Sequence, residues 1–182
     1  MARTRAELLG LLGEVFREHG FEGASLALIT ARTGLGKGSL YNLFPRGKEE
    51  MAAAVLDEIE AWFETTMYRP LREDPDPLAA IAAMFSATDT YFRSGRRVCL
   101  VGVFALGEVR DRFASRIDGY FAAWRDALAS ALERAGRDPA DARDRAEEVV
   151  SGIQGGLVTA RALDDPEVFG RTLRRLEARI AG

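Results

Sequence analysis

The 26 residues from Gly23 to Lys48 contain four bases, Arg32, Lys37, Arg46 and Lys48, and no acid. Inside this stretch, Lys37, Gly38, Ser39, Tyr41 and Asn42 crowd into one short segment of small, cationic or hydrogen-bonding side chains. Such a set suits a polyanion. An ammonium group neutralises a phosphate, amides and hydroxyls bond to phosphate oxygens and base edges, and small residues allow close approach. Lys48 opens a long helical pattern, where free backbone amides and the helix dipole already favour a phosphate. The remaining residues carry 21 bases and 28 acids, a balance of −7, so the formal net charge of −3 is the sum of two unlike parts.

Two short helical segments, 25–32 and 37–43, must position these groups, with Thr33-Gly34-Leu35-Gly36 between them. Paired short helices joined by a glycine-containing turn fit a helix-turn-helix, whose second helix enters the major groove; the alternative is an ordinary helical hairpin whose acid-free surface is accidental. Leu26, Ile29, Leu35 and Leu40 fall where the two helices meet, and Gly34 can take the positive φ that the turn needs. Upstream, Leu8, Leu12, Val15 and Phe16 form an apolar stripe that stops at His19-Gly20. Downstream, Met51, Val55, Ile59, Trp62 and Phe63 line one side of a helix expected from Lys48 to Tyr68.

Pro70, Pro75 and Pro77 mark the clearest break. Three Asp-Pro pairs (76–77, 138–139 and 165–166) then read as helix starts, because Asp caps free amides and Pro at the next position loses no helical bond. They define helices near 77–94, 140–163 and 166–180. The segment 96–136 adds an apolar stretch from Val98 to Leu106 and a helix over about 109–135. The expected fold is all-α with about nine helices and no sheet. An N-terminal three-helix domain occupies 1–47, and a helical domain for ligand binding and dimerisation occupies 48–182, with helix 48–69 connecting the two.

Composition excludes several alternatives. The chain has 182 residues, 47% hydrophobic and 29% charged, too apolar for a disordered chain. No apolar run approaches the ~20 residues needed to span a bilayer, and the N-terminus lacks the apolar stretch of a signal peptide. A single cysteine, Cys99, fits a reducing cytoplasm and permits no internal disulfide. A single histidine, His19, makes His/Cys zinc sites and His-dependent triads unexpected; no cofactor or metal is implied, and no nucleophile–base constellation points to an enzyme. Cys99 beside Val98, Leu100 and Val101 reads as a small buried hydrophobe, and His19 as a helix-end residue.

The run Phe16-Arg17-Glu18-His19-Gly20-Phe21-Glu22-Gly23, then Ser25-Leu26, Ile29, Gly34-Leu35, Lys37 to Pro45 and Lys48-Glu49-Glu50 resembles the N-terminal domain of TetR/AcrR-type transcriptional regulators over about residues 5–60. The resemblance implies a dimeric, ligand-responsive repressor with a DNA-binding head and a variable body. It implies that Ser25 caps the first helix of the motif, that Lys37, Gly38, Ser39, Tyr41 and Asn42 face DNA, and that Lys48 clamps a backbone phosphate. Four positions depart from the pattern. Leu28 replaces an acid, Gly36 a serine and Leu43 a polar residue, and Pro45-Arg46-Gly47-Lys48 is one residue longer than the commonest turn.

The body is dense in aromatic and sulfur side chains. Trp62, Phe63, Met67, Met84, Phe85, Tyr91, Phe104, Tyr120, Phe121 and Trp124 are the candidates to line an adaptable apolar pocket. Val149, Ile153, Gly156, Ala160 and Leu163 fall at spacings of four, three, four and three. With Phe169, Leu173 and Leu176 of the last helix they read as half of a four-helix dimer interface; the alternative is packing within one chain. The expected function is a cytoplasmic regulator, most consistent with a repressor, binding a palindromic double-stranded operator as a homodimer and released by a small, mostly apolar effector. The alternative is a helical dimer with a degenerate head, acting through small-molecule or protein binding alone.

Overall fold

A computed structural model describes residues 4–181, and among these the fold is all-α, with no strand. The helices are α1 (Arg5–Gly23), α2 (Leu26–Thr33), α3 (Lys37–Leu43), α4 (Lys48–Phe63), α5 (Arg69–Glu73), α6 (Pro77–Tyr91), α7 (Leu100–Leu106), α8 (Ala114–Arg134), α9 (Pro139–Leu163) and α10 (Glu167–Ala181). Their starts follow from local chemistry. Thr4 and Glu7 cap α1 reciprocally, the Glu7 amide donating to Thr4 Oγ1 at 3.2 Å and the Thr4 amide to Glu7 Oε2 at 2.8 Å. Asp76 Oδ1 accepts from the amides of Leu78 and Ala79, and Asp138 Oδ1 from those of Ala140 and Asp141. Two of the Asp-Pro pairs thus start helices with Asp as N-cap and Pro inside the first turn.

The helix expected near 77–94 ends at Tyr91, and two other boundaries differ from the sequence reading through irregular turns. The helix expected to stop at Tyr68 runs on: α4 passes through a π turn, Glu64–Tyr68, straight into α5. Pro70 has no amide to donate and sits in the first turn of α5, so one widened turn just upstream accommodates it without breaking the rod. Counting that rod as one element gives, among the described residues, the nine helices expected. The second difference is at 109–135, where a 3-10 turn, Glu108–Phe113, precedes α8. The stop anticipated at His19-Gly20 is present as a kink, Gly20 taking φ 68° before a last turn through Gly23.

The helices group into two compact units. One comprises residues 4–61 together with Leu100–Ile117, the other Trp62–Cys99 together with residues 118–181. In the first, Phe16, Phe21, Phe104 and Phe113 form one aromatic cluster, with ring centres 5.8–6.1 Å apart. In the second, Phe63 is the hub, 4.8–5.7 Å from Trp62, Tyr68, Tyr91, Tyr120 and Trp124. Among the described residues no helix is long and apolar enough to cross a membrane.

Candidate functional site

The head is built by four short-range devices. Ser25 caps α2, its Oγ accepting from the Leu28 amide at 3.3 Å. Gly34 ends α2 in the left-handed region at φ 70°, as its place in the turn requires. Thr33 pins that turn: its buried hydroxyl donates to the Ile29 carbonyl at 2.7 Å and accepts from the Leu35 amide at 3.3 Å. Ile29 and Leu40, both fully buried, lock α2 and α3 to the core.

With Leu40 turned inward, Lys37, Gly38, Ser39, Tyr41 and Asn42 are all exposed on α3. A side chain at Gly36 or Gly38 would meet nothing within 4 Å, so the start of α3 leaves open space. Tyr41 is steadied at one edge, its ring 3.4 Å from where a Cβ on Gly47 would stand, with the Lys37 ammonium 6.0 Å from the ring centre. Lys37 has no ion-pair partner among the described residues. Gly36 caps α3 without a side-chain bond, as expected of a serine replaced by glycine. Leu28 and Leu43 are exposed apolar residues on the same two helices.

Lys48 is placed otherwise. Its ammonium donates to the Phe21 carbonyl at 2.7 Å and to the Glu22 carbonyl at 3.3 Å, and lies 4.5 Å over the Phe21 ring. Two residues outside the sequence-derived set join the head. Arg5 stacks over Phe44 at 5.7 Å, and Arg112 lies 5.6 Å over Phe21 while pairing with Glu49 at 3.5 Å. Neither carries a local signal, because each acts through a ring distant in sequence.

Of the ten pocket candidates, nine lie in the second unit and Phe104 in the first, where it packs with Phe16, Phe21 and Phe113. Trp62, Phe63, Tyr91, Tyr120 and Trp124 come together ring against ring, Phe63, Tyr120 and Trp124 as buried core and Trp62 and Tyr91 half-buried beside them, with Met84 Sδ accepting from the Trp124 indole at 3.3 Å. Met67 and Phe85 are also buried. Burial pushes the Tyr120 hydroxyl well above the usual tyrosine range, and the neighbouring Cys99 thiol, 3.8 Å away, adds to the effect. A cavity of about 640 Å³ opens elsewhere, between α8 and α9, and of the ten candidates only Phe121 lines it. Val150 and Ala122 continue its apolar wall, Asp118, Arg125 and Glu147 its polar rim, and the Gln154 side-chain nitrogen is buried there without a hydrogen-bond partner.

Seven of the eight residues read as a dimer stripe are buried inside a single chain: Val149, Ile153, Gly156, Ala160, Phe169, Leu173 and Leu176. The glycines explain the geometry. A Cβ on Gly152 would stand 2.9 Å from Leu176, and one on Gly156 would stand 3.1 Å from Thr172, so these glycines let α10 settle on α9. The spacing marks a close helix–helix contact within the chain, and only Leu163, 64% exposed, faces outward. The outward face of α9 carries Ser151, Gly155, Val158, Thr159 and Ala162 instead.

Family models match the chain in two places. Residues 13–55 match the model of bacterial regulatory proteins, tetR family, and residues 77–175 match the C-terminal domain of LmrA/YxaF-like transcriptional regulators. The chain is 24% identical over 159 residues to the uncharacterized HTH-type transcriptional regulator YxaF of Bacillus subtilis (strain 168), covering 85% of this chain and 83% of that one. Over 89 residues it is 28% identical to the HTH-type transcriptional regulator LmrA of the same organism, covering 49% and 47%. Its fold is similar to that of a TetR transcriptional regulator from Legionella pneumophila, with a TM-score of 0.79 at 20% identity over 98% of both chains. A cysteine mutant of the TetR family regulator CifR, whose structure includes a 26-base-pair operator DNA, is similar over 98% of both chains, with a TM-score of 0.74 at 22% identity.

Proposed function

Because the chain belongs to the TetR family of bacterial transcriptional regulators, we propose that it is a repressor that grips a palindromic operator as a homodimer and releases it when a small, mostly apolar effector binds. The observation that carries this reading is the exposed face of α3. Lys37, Gly38, Ser39, Tyr41 and Asn42 offer one unpaired cation, two hydroxyls, an amide and open space, with Leu40 alone turned to the core. No acid interrupts the surrounding 26 residues, which suits a surface docked on phosphates. The structure of CifR with its operator supports the same use of the fold.

Two heads are needed, since recognition helices about 34–36 Å apart read successive major grooves. The outward face of α9, with Ser151, Gly155, Val158, Thr159 and Ala162, offers small and apolar residues for a partner's helix. The effector seat is the cavity between α8 and α9, whose volume of about 640 Å³ suits a small molecule with an apolar body and one group able to accept from Gln154. An effector acts by binding better to a head spacing that does not fit the operator. A cytoplasmic location follows from the DNA partner, and no turnover is assigned.

A gel shift with DNA from upstream of the chain's own gene, at two salt concentrations, tests the reading. Sequence-specific retardation that weakens steeply with salt is expected. Binding no tighter than to random DNA would leave the chain a small-molecule or protein-binding dimer.

A further inference from the structure

The two cations that flank Gly47 lie in opposite environments. Gly47 sits in the left-handed region at φ 69°, its amide closing a tight turn on the Phe44 carbonyl at 2.8 Å. Arg46, on one side of it, is 81% exposed, and among the described residues its guanidinium approaches no carboxylate closer than Glu50, at 3.9 Å. Lys48, on the other side, is half-buried. Its ammonium holds the last two carbonyls before the end of α1, those of Phe21 and Glu22, and covers the Phe21 ring. The same ring is held a second time, since Arg112 also lies over Phe21 and pairs with Glu49, next to Lys48.

Resting on the DNA-binding reading, the geometry points to an exchange of roles between these two residues: Arg46 neutralises the backbone phosphate, and Lys48 is a positioning residue. Lys48 holds the end of α1 against the start of α4 and so sets where the α2–α3 pair stands. The turn from Pro45 to Lys48 supplies the reason. Turning at Gly47, it carries the first of its two cations outward and returns the second to the core side. Arg46 has the chemistry for the outward task, a weakly hydrated planar fork that suits phosphate oxygens. Lys48 has the chemistry for the inward one, a compact charge with three donors, two of them directed at carbonyls.

The experiment compares Arg46→Gln, Lys48→Met and Lys48→Arg with the wild-type chain. An operator recovered by selection from random DNA with the wild-type protein serves as probe, beside a random duplex of equal length. Affinities are read by fluorescence anisotropy from about 50 to 300 mM salt, well below the melting temperature of each variant. Losing one phosphate contact per head lowers the slope of log K against log salt by about 0.9 for each head, and weakens operator and random DNA alike. That result is expected for Arg46→Gln. Lys48→Met is expected to leave the slope and the random-DNA affinity unchanged while operator affinity falls about tenfold, the loss of a charged hydrogen bond that orients the reading helix. Lys48→Arg is expected to restore most of it, since an arginine can still donate to the carbonyls and cover the ring. A reduced slope in Lys48→Met, an unchanged slope in Arg46→Gln, or unaltered operator affinity in Lys48→Met each overturns the assignment. Failure of the wild-type chain to prefer any sequence would instead overturn the DNA-binding reading itself.

Discussion

Tyr41 stands on the exposed side of α3, its ring against the Gly47 turn and near the Lys37 ammonium. Tyr41→Ala removes an aromatic group that touches little of the core. The expected result is at least a tenfold loss of operator affinity in anisotropy, with the dimer intact in sedimentation; full retained affinity would remove α3 from the interface. Gly95 is bound by a different constraint. It lies in the left-handed region at φ 87°, and a Cβ there would stand 2.7 Å from the Phe169 Cβ and 2.8 Å from the Pro166 carbonyl oxygen. Neither obstacle is the free end of a side chain, so the backbone must shift. Gly95→Ala is expected to cost about 2–3 kcal/mol and to lower the melting temperature by about 5–10 °C. A calorimetric melt unchanged from wild type would show that the 92–99 turn yields more easily than its contacts indicate.

For the helix α3, stability and function pull in opposite directions. Gly38 lies inside it with nothing within 4 Å of a would-be Cβ. Gly38 is the second residue of α3, so alanine there is favoured over glycine by less than the ~1 kcal/mol of a helix interior, and Gly38→Ala should raise the melting temperature slightly. The same methyl group stands on the surface offered to DNA, so operator affinity should fall at the same time. Thermal melts and anisotropy on one preparation check both signs, and a variant that gains stability without losing affinity would place Gly38 away from the bases. The capping devices were legible beforehand: Asp76 and Asp138 before proline, Ser25 before α2 and Gly34 after it all act as their types require. The π turn ahead of Pro70 was not legible, because a proline is as able to end a helix as to be absorbed by a wider turn. Packing around Met67 and Tyr68, both buried, goes with the second outcome.

The proposed assembly uses the surface that one chain leaves uncovered. Val158 is 61% exposed and Leu163 64%, while the apolar stripe on the neighbouring face of α9 is already covered by α10. A charge placed at the centre of the uncovered face tests the proposed dimer directly. Val158→Glu is expected to give monomers in analytical ultracentrifugation and to abolish cooperative operator binding, with helicity preserved. Persistence of the dimer would move the interface to another face. The pocket follows a similar logic: helical spacing places Phe63, Tyr120 and Trp124 on inward faces, but the same spacing serves a filled core and a lined cavity equally well.

Helix positions, caps, the turn at Gly34 and the acid-free run from Gly23 to Lys48 could be read before any coordinates, because each depends on residues within a few positions of one another. The family follows from the same local pattern. The fate of Lys48, the filling of the aromatic cluster and the direction of the small-residue stripe depend on partners far along the chain: Phe21, Trp124 and Leu176. A cation binds whichever carbonyl or phosphate stands nearest, and a glycine stripe admits whichever helix arrives first. Residue type sets what such a group can bind; the folding of distant segments onto one another selects which of its partners is present.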